Sequence, residues 1–379
     1  MLWQAAGSAA TLAAALWVST RMGLIAQGEF DLARRWFDAA AVVAAMGRPQ
    51  GLLHLQYRLS VPADALWRWL ARQWMLAVPV CLAGACVCAW ADWTLAAAVI
   101  ASLPMTVGHL MARSLLLPER GVVIFGFVSA LPALVVLAGV GLLDVFDASL
   151  NFPLMILVAL WLAGAVGLAL CARKVSSDVP AFDSGALWAP SLQSWMQAAL
   201  GGLLPAGLLS VVSASGHGGA ALGAASIGLH AYQLLAVLAG YSAPVLFDHL
   251  ARQDRPELAA GWVPRRMRLA VLLLLGLCGL GALLASQGHA PGWLLPLGLL
   301  LPAGCAAVAA RVHGTVLLAR GDYRELSLQA AWRLALGLSL LWVSLQWWPA
   351  PAALACTLLT VEVLTWWRSR VRAGREVSP

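Results

Sequence analysis

Five charged residues crowd one short stretch, Gln27-Gly28-Glu29-Phe30-Asp31-Leu32-Ala33-Arg34-Arg35-Trp36-Phe37-Asp38. Arg34 and Asp38 are four apart, so on a helix they share a face and can pair, with Arg35 beside them. If the helix enters the membrane near residue 32, Asp38 lies only ~9 Å inside it at the rise of an α-helix. Arg21 closes the preceding apolar run at the same level. Three arginines against one aspartate would make a small cationic cluster, and guanidinium forks match the oxygens of a diphosphate or an acidic sugar. The same residues also suit a plainer role, with the arginines snorkelling to headgroups and Asp38 neutralising one of them.

Two further positions could carry chemistry. His230, Tyr232 and Gln233 fall about 15 to 20 Å from the end of an apolar segment, near mid-bilayer. There they could meet sugar hydroxyls or a proton, or form a hydrogen bond that holds two helices together. Glu362 lies near the middle of the last apolar segment, where an unpaired ionised carboxylate is costly. It is a candidate for proton coupling, or it is buried against a neighbouring hydroxyl or amide. Arg113, Arg311 and Arg333 lie toward segment ends where snorkelling is expected, though they could also line an opening.

No metal or cofactor site is expected. The other histidines, His54, His109, His217, His249, His289 and His313, are scattered singly, whereas a metal needs several converging ligands. The seven cysteines all lie in apolar runs without a CxxC pair, and so read as packing residues. No GxxxxGK[ST] phosphate loop occurs.

The elements that position these residues must be membrane helices. The chain has 379 residues, 61% hydrophobic and 11% charged, with a mean hydropathy of +0.82. Soluble domains carry roughly a quarter charged residues. No hydrophilic stretch approaches the ~50 residues of a separate domain, which argues against a soluble catalytic domain. A span needs about 20 mostly apolar residues, and that criterion predicts twelve. Six run roughly 4–25, 32–52, 70–90, 94–116, 121–143 and 152–172. Six more run 190–214, 220–247, 267–286, 292–317, 328–347 and 351–371. The expected lobes are 1–178 and 179–379, joined by a basic linker. The first apolar run is expected to stay as a span, because its first basic residue, Arg21, sits at its far end.

Charge supports the count. All of the 24 basic residues except Arg21, Arg34 and Arg35 fall on one side of the predicted topology or toward it. By the positive-inside rule that side is cytoplasmic, and both termini lie there. The net charge of +7 therefore reports orientation and not nucleic-acid binding. Trp90, Trp93, Trp293, Trp347 and Trp348 are expected at outer ends, and Trp67, Trp69, Trp188, Trp262, Trp366 and Trp367 at inner ends, where indoles favour the headgroup level.

In this arrangement the chain resembles the polysaccharide-flippase (Wzx-type) branch of the multidrug, oligosaccharidyl-lipid and polysaccharide exporter superfamily. The local likeness is carried by Gly28-Glu29-Phe30 as an outer turn, Gly47-Arg48-Pro49-Gln50-Gly51-Leu52 as an inner turn, and Leu317-Leu318-Ala319-Arg320-Gly321-Asp322 between spans 10 and 11. The resemblance implies an all-α membrane protein with two six-helix lobes around a cleft lined by spans 1, 2, 7 and 8. It implies alternating access that turns an isoprenoid-diphosphate-linked oligosaccharide from the inner to the outer leaflet of a bacterial inner membrane. Membrane lipids and the polymerase or export machinery of the same pathway would be its partners.

Three other readings remain. A cation-coupled multidrug antiporter of the same superfamily would need acidic residues in the first lobe. A lipid II flippase is a further possibility in that superfamily. An integral-membrane glycosyltransferase or polymerase would need paired carboxylates at one face, for which only Asp144 and Asp147 qualify, in a loop too short to hold a sugar. The expectation is a transporter without covalent chemistry.

Overall fold

The computed structural model describes residues 2–58, 60–146, 151–171, 185, 188–230, 232–233, 287, 294–319 and 322–374. Among these residues the regular structure is entirely helical. Among the described residues eight helical segments are long and apolar enough to cross a membrane. Predicted span 9, at 267–286, lies outside the described residues, as do the far part of span 8, Asp147, Trp262 and Trp293.

The chain divides into two compact units, Met1–Ala206 and Gly207–Pro379, with the boundary inside helix Trp188–Ala214. In the first unit the helices are Leu2–Trp17, Leu24–Ala45, Arg48–Arg58, Ala63–Trp90, Thr94–Val145 and Phe152–Cys171. Thr94–Val145 has 52 residues and would be about 78 Å long if straight. Val99 and Val140 nevertheless belong to one packed cluster, together with Phe30, Phe37, Phe152 and Ile156. Met111, Leu116 and Val128 share another. The helical backbone therefore doubles back between Leu116 and Val123, giving two spans. Phe30 and Phe152 meet edge to face with centroids 5.5 Å apart, which fixes the second helix against the sixth.

Small residues let these helices approach closely, as is usual where lipid supplies no hydrophobic drive between them. A Cβ on Gly164 would lie 2.9 Å from Met105 Cβ and 3.2 Å from its carbonyl oxygen. In the second unit the described helices are 219–230, Leu294–Ala319, Tyr323–Ser344 and Ala350–Gly374. Asp322 starts the third of these by accepting a hydrogen bond from the Glu325 amide at 3.1 Å. Arg368 and Arg372 of the last helix grip Glu325, which ties the ends of those two helices together.

Three boundaries differ from the expectation. Span 2 is Leu24–Ala45 and not 32–52, because the break falls at Gly23. Gly23 has φ +94° and ψ 172°, a conformation closed to side-chain-bearing residues. Gly28-Glu29-Phe30 is thus a buried helical turn and its face, not an outer connection, although Glu29 itself points outward. Gly47 does turn the chain, at φ +66° beside Met46 at +50°, but the basic segment after it is a further helix, Arg48–Arg58. Span 3 begins at Ala63, seven residues early, behind Pro62 and with Asp64 in its first turn. Trp67, expected at the lipid boundary, is buried at 8% exposure, while Trp90, Trp93, Trp188, Trp347 and Trp367 are exposed.

Candidate functional site

Helix Leu24–Ala45 carries a polar row through the first unit. Gln27, Asp31, Arg34, Arg35 and Asp38 recur at helical spacing and therefore lie along one side. Gln27 and Asp31 are completely buried. Gln27 Nε2 donates to Asp31 Oδ2 at 2.7 Å, one turn apart. Arg35, partly buried, lies within electrostatic range of both Asp31 and Asp38. Arg34 is held across to the first helix, its Nη2 donating to Thr11 Oγ1 at 2.8 Å. Its Nε approaches Asp38 only to 4.0 Å, and the Asp38 side chain is 62% exposed.

Arg21 does not join this row. It sits in a π-helical turn, Val18–Met22, and pairs with Asp144 at 3.5 Å. Trp17 Nε1 donates to the same Asp144 carboxylate at 3.0 Å. Asp144 thus binds the end of the first helix to the end of the fifth. The cluster of three arginines against one aspartate is replaced by two arginines, Arg34 and Arg35, against two carboxylates, Asp31 and Asp38. Removing Arg21 and admitting Asp31 changes the balance from cationic to neutral.

A second buried polar group lies in the second unit. Tyr232 donates its hydroxyl proton to Glu362 Oε1 at 2.6 Å. Arg333 Nη2 also donates to Glu362 Oε1, and lies 3.3 Å from the Tyr232 oxygen. The Glu362 side chain is 1% exposed, and Arg311 stands within electrostatic range of all three groups. Glu362 Oε2 and Arg333 Nε are buried with no hydrogen-bond partner among the described residues. His230 is buried and Gln233 half-buried, close to Tyr232 in sequence.

Of the expected positions, the structure brings together Arg34, Arg35 and Asp38, and separately Tyr232 and Glu362. Arg333, expected to snorkel, instead turns into the unit to meet Glu362. A depth estimate would have paired them: Arg333 is ten residues into its helix from one side and Glu362 twelve into the next from the other, about 15 and 18 Å. Asp31 and Gln27 were missed because the span was started too late. Among the described residues no group of three or more His, Cys, Asp or Glu converges as metal ligands would.

What this arrangement can do is hold charge in a low-dielectric setting. Each unit has a carboxylate out of solvent, an arginine near it, and a polar side chain bonded to it. Breaking such a buried pair by removing one partner leaves an uncompensated charge, so each group is sensitive to anything that competes for its partner.

No protein-family profile matches the chain, and no characterised sequence does. Solved structures do. The chain is similar to a multidrug resistance MATE family transporter of the MOP superfamily in an inward-facing conformation, with a TM-score of 0.71 at 13% identity over 97% of this chain and 94% of that one. It is also similar to an outward-facing conformation of such a transporter, at TM-score 0.66 and 12% identity over 98% and 92%. A third is a MOP superfamily transporter from Pyrococcus furiosus, at TM-score 0.56 and 13% identity over 98% and 93%. At these identities the likeness is one of fold. It shows an all-α membrane fold of about twelve helices in two lobes.

Proposed function

We propose that the chain is an alternating-access transporter, and that it exports organic cations of the multidrug type in exchange for a coupling cation. The observation that carries this reading is Asp31, a carboxylate wholly buried in the first unit, bonded to Gln27 one turn away and within electrostatic range of Arg35. An exporter of this kind needs an acid in that half of the molecule whose protonation can change with substrate. Asp38, exposed and beside Arg34, is less suited. The likeness to MATE structures in both inward- and outward-facing conformations supports alternating access. An aspartate was also the residue exchanged in a mutant MATE transporter from Vibrio cholerae with the same fold. The chain is placed in the bacterial inner membrane with both termini cytoplasmic.

The test is efflux of a fluorescent organic cation from cells or everted vesicles expressing the full chain, comparing wild type with Asp31→Asn. Wild-type efflux that collapses on dissipating the ion gradient, and is lost in Asp31→Asn at equal expression, is the expected result. Efflux indifferent to both changes would sink the reading.

A second reading is favoured by the buried arginines. Arg34, Arg35, Arg311 and Arg333 could receive the diphosphate of a lipid-linked oligosaccharide, which makes the chain a flippase with polysaccharide polymerase or export machinery as partners. The Pyrococcus furiosus neighbour is described as having a binding pocket of reverse polarity that suggests a different function. The two readings separate on substrate: a lectin or glycosidase at the outer face reports the flipped oligosaccharide, a dye reports the exporter. On either one the chain is a transporter and not an enzyme.

A further inference from the structure

Arg48 has no part in either polar group, and its surroundings are unusual for a cation. It opens helix Arg48–Arg58 directly after the Gly47 turn. Two indoles flank it, with the guanidinium carbon 5.9 Å from the Trp69 ring centroid and 5.3 Å from that of Trp188. Both contacts set the cation near an indole ring. Its Nε is buried without a hydrogen-bond partner among the described residues, and Nη2 has only the Met46 sulfur, at 4.0 Å. None of the ion pairs among the described residues includes Arg48. A half-buried guanidinium with an unfilled buried Nε and no counter-charge among the described residues is a strong attractor for an oxyanion.

The same arginine forms one end of a cavity of about 180 Å³ between helices Ala63–Trp90 and Thr94–Leu116. Its walls are otherwise mostly apolar, among them Trp74, Ala77, Cys81, Val107 and Met111. Trp74 is pinned there by donating Nε1 to the Pro104 carbonyl at 3.0 Å, and it lies against the helix because Gly108 has no side chain. Drug-sized ligands need pockets of roughly 300–1,000 Å³, so this one is too small for them but wide enough for part of an alkyl chain. The outer side of helix Ala63–Trp90 is apolar and bare, with Met75, Leu76 and Val80 each more than 60% exposed. The arginine distribution puts Trp69 and Trp188 at the headgroup level, which is where a lipid phosphate resides.

We propose that this is a binding site for an anionic phospholipid, whose phosphate seats on the Arg48 guanidinium and one of whose acyl chains enters the cavity lined by Trp74, Ala77 and Val107. The occupant is a lipid and not a soluble anion because the cation and the apolar cavity are continuous, and the helix that forms one wall faces hydrocarbon. None of the polar row's residues lines the cavity; Ala44, its wall residue on helix Leu24–Ala45, lies about 9 Å along the helix from Asp38, the last of the row, and about 20 Å from Asp31. The bound lipid would brace the junction of helices Leu24–Ala45, Arg48–Arg58 and Ala63–Trp90. The inference does not depend on which substrate the protein moves.

The experiment is native mass spectrometry of the purified full chain in mild detergent, titrated with dioleoyl phosphatidylglycerol or dioleoyl phosphatidylcholine. The expected result is retention of the anionic lipid over the zwitterionic one by about tenfold, the scale of one charge-assisted hydrogen bond. Arg48→Gln is expected to abolish that preference, while the exposed pair Arg68→Gln with Arg72→Gln is expected to keep it. Ala77→Leu leaves Arg48 in place and narrows the cavity; it is expected to reduce retention of the dioleoyl lipid and spare a dioctanoyl analogue. An unchanged preference in Arg48→Gln overturns the proposal. So does competition by inorganic pyrophosphate as effective as that by lipid, which would make the site one for a free anion.

Discussion

Asp31 and Glu362 are both buried carboxylates, and their partners give them different expected behaviour. Glu362 is bonded to Tyr232 and Arg333, and removing one member of such a buried pair leaves the other charge uncompensated. Arg333→Met is therefore expected to destabilise the protein by about 3–5 kcal/mol, and the double change Arg333→Met with Glu362→Met to recover most of that loss. Thermal unfolding in detergent checks both. Asp31 is bonded to the Gln27 amide and lies within electrostatic range of Arg35, which also has Asp38, so Asp31→Asn should cost less stability than Arg333→Met and act on transport. The residues of this group were legible in part. Glu362 and Tyr232 stood out singly as polar side chains at mid-bilayer depth, but their meeting across 130 positions was not readable from spacing. Arg21 was misplaced because Asp144, its partner, is as far away in sequence as 123 positions.

The helices themselves were more legible than their contacts. Hydropathy located most of the described spans, and from the fourth onward to within about five residues, because a 20-residue apolar run in lipid has no structure open to it but a helix. It failed where a helix is polar. The first turns of Leu24–Ala45 hold Gln27, Glu29 and Asp31, so a hydropathy criterion starts the span late. Arg48–Arg58, with His54, Gln50, Gln56 and two arginines, carries no apolar run at all. Contacts between helices are governed by small residues that hydropathy cannot weigh. Gly164→Ala is expected to cost about 1–3 kcal/mol, because the new methyl would meet Met105 backbone as well as its Cβ and neither helix can yield cheaply. Gly84→Ala, whose Cβ would find its nearest neighbour at 3.5 Å, serves as the neutral control. The midpoint of thermal unfolding should fall in the first variant and hold in the second.

At the scale of the whole molecule, a fold likeness over nearly the entire chain coexists with 12 to 15% identity. That combination is expected where lipid, not water, is the solvent. Any apolar residue of suitable size serves a lipid-facing position, so sequence drifts while helix number and lobe structure persist. The fold was therefore readable from architecture, whereas the function proposed for it turns on a handful of charges whose pairing the sequence does not reveal. With Arg21 tied to Asp144 and Asp31 buried beside Arg35, the charges along helix Leu24–Ala45 balance, which favours the ion-coupled export proposed above. Coupling is reciprocal by thermodynamic linkage: if a proton or sodium gradient drives substrate, substrate must drive the ion. The most direct measurement is thus ion flux in proteoliposomes holding the purified full chain, with an organic cation gradient imposed and no ion gradient at the start. The account predicts substrate-driven movement of the coupling ion in the opposite direction for wild type, and none for Asp31→Asn. Ion flux absent for every organic cation tried, while a lipid-linked oligosaccharide crosses the same membranes, would contradict it.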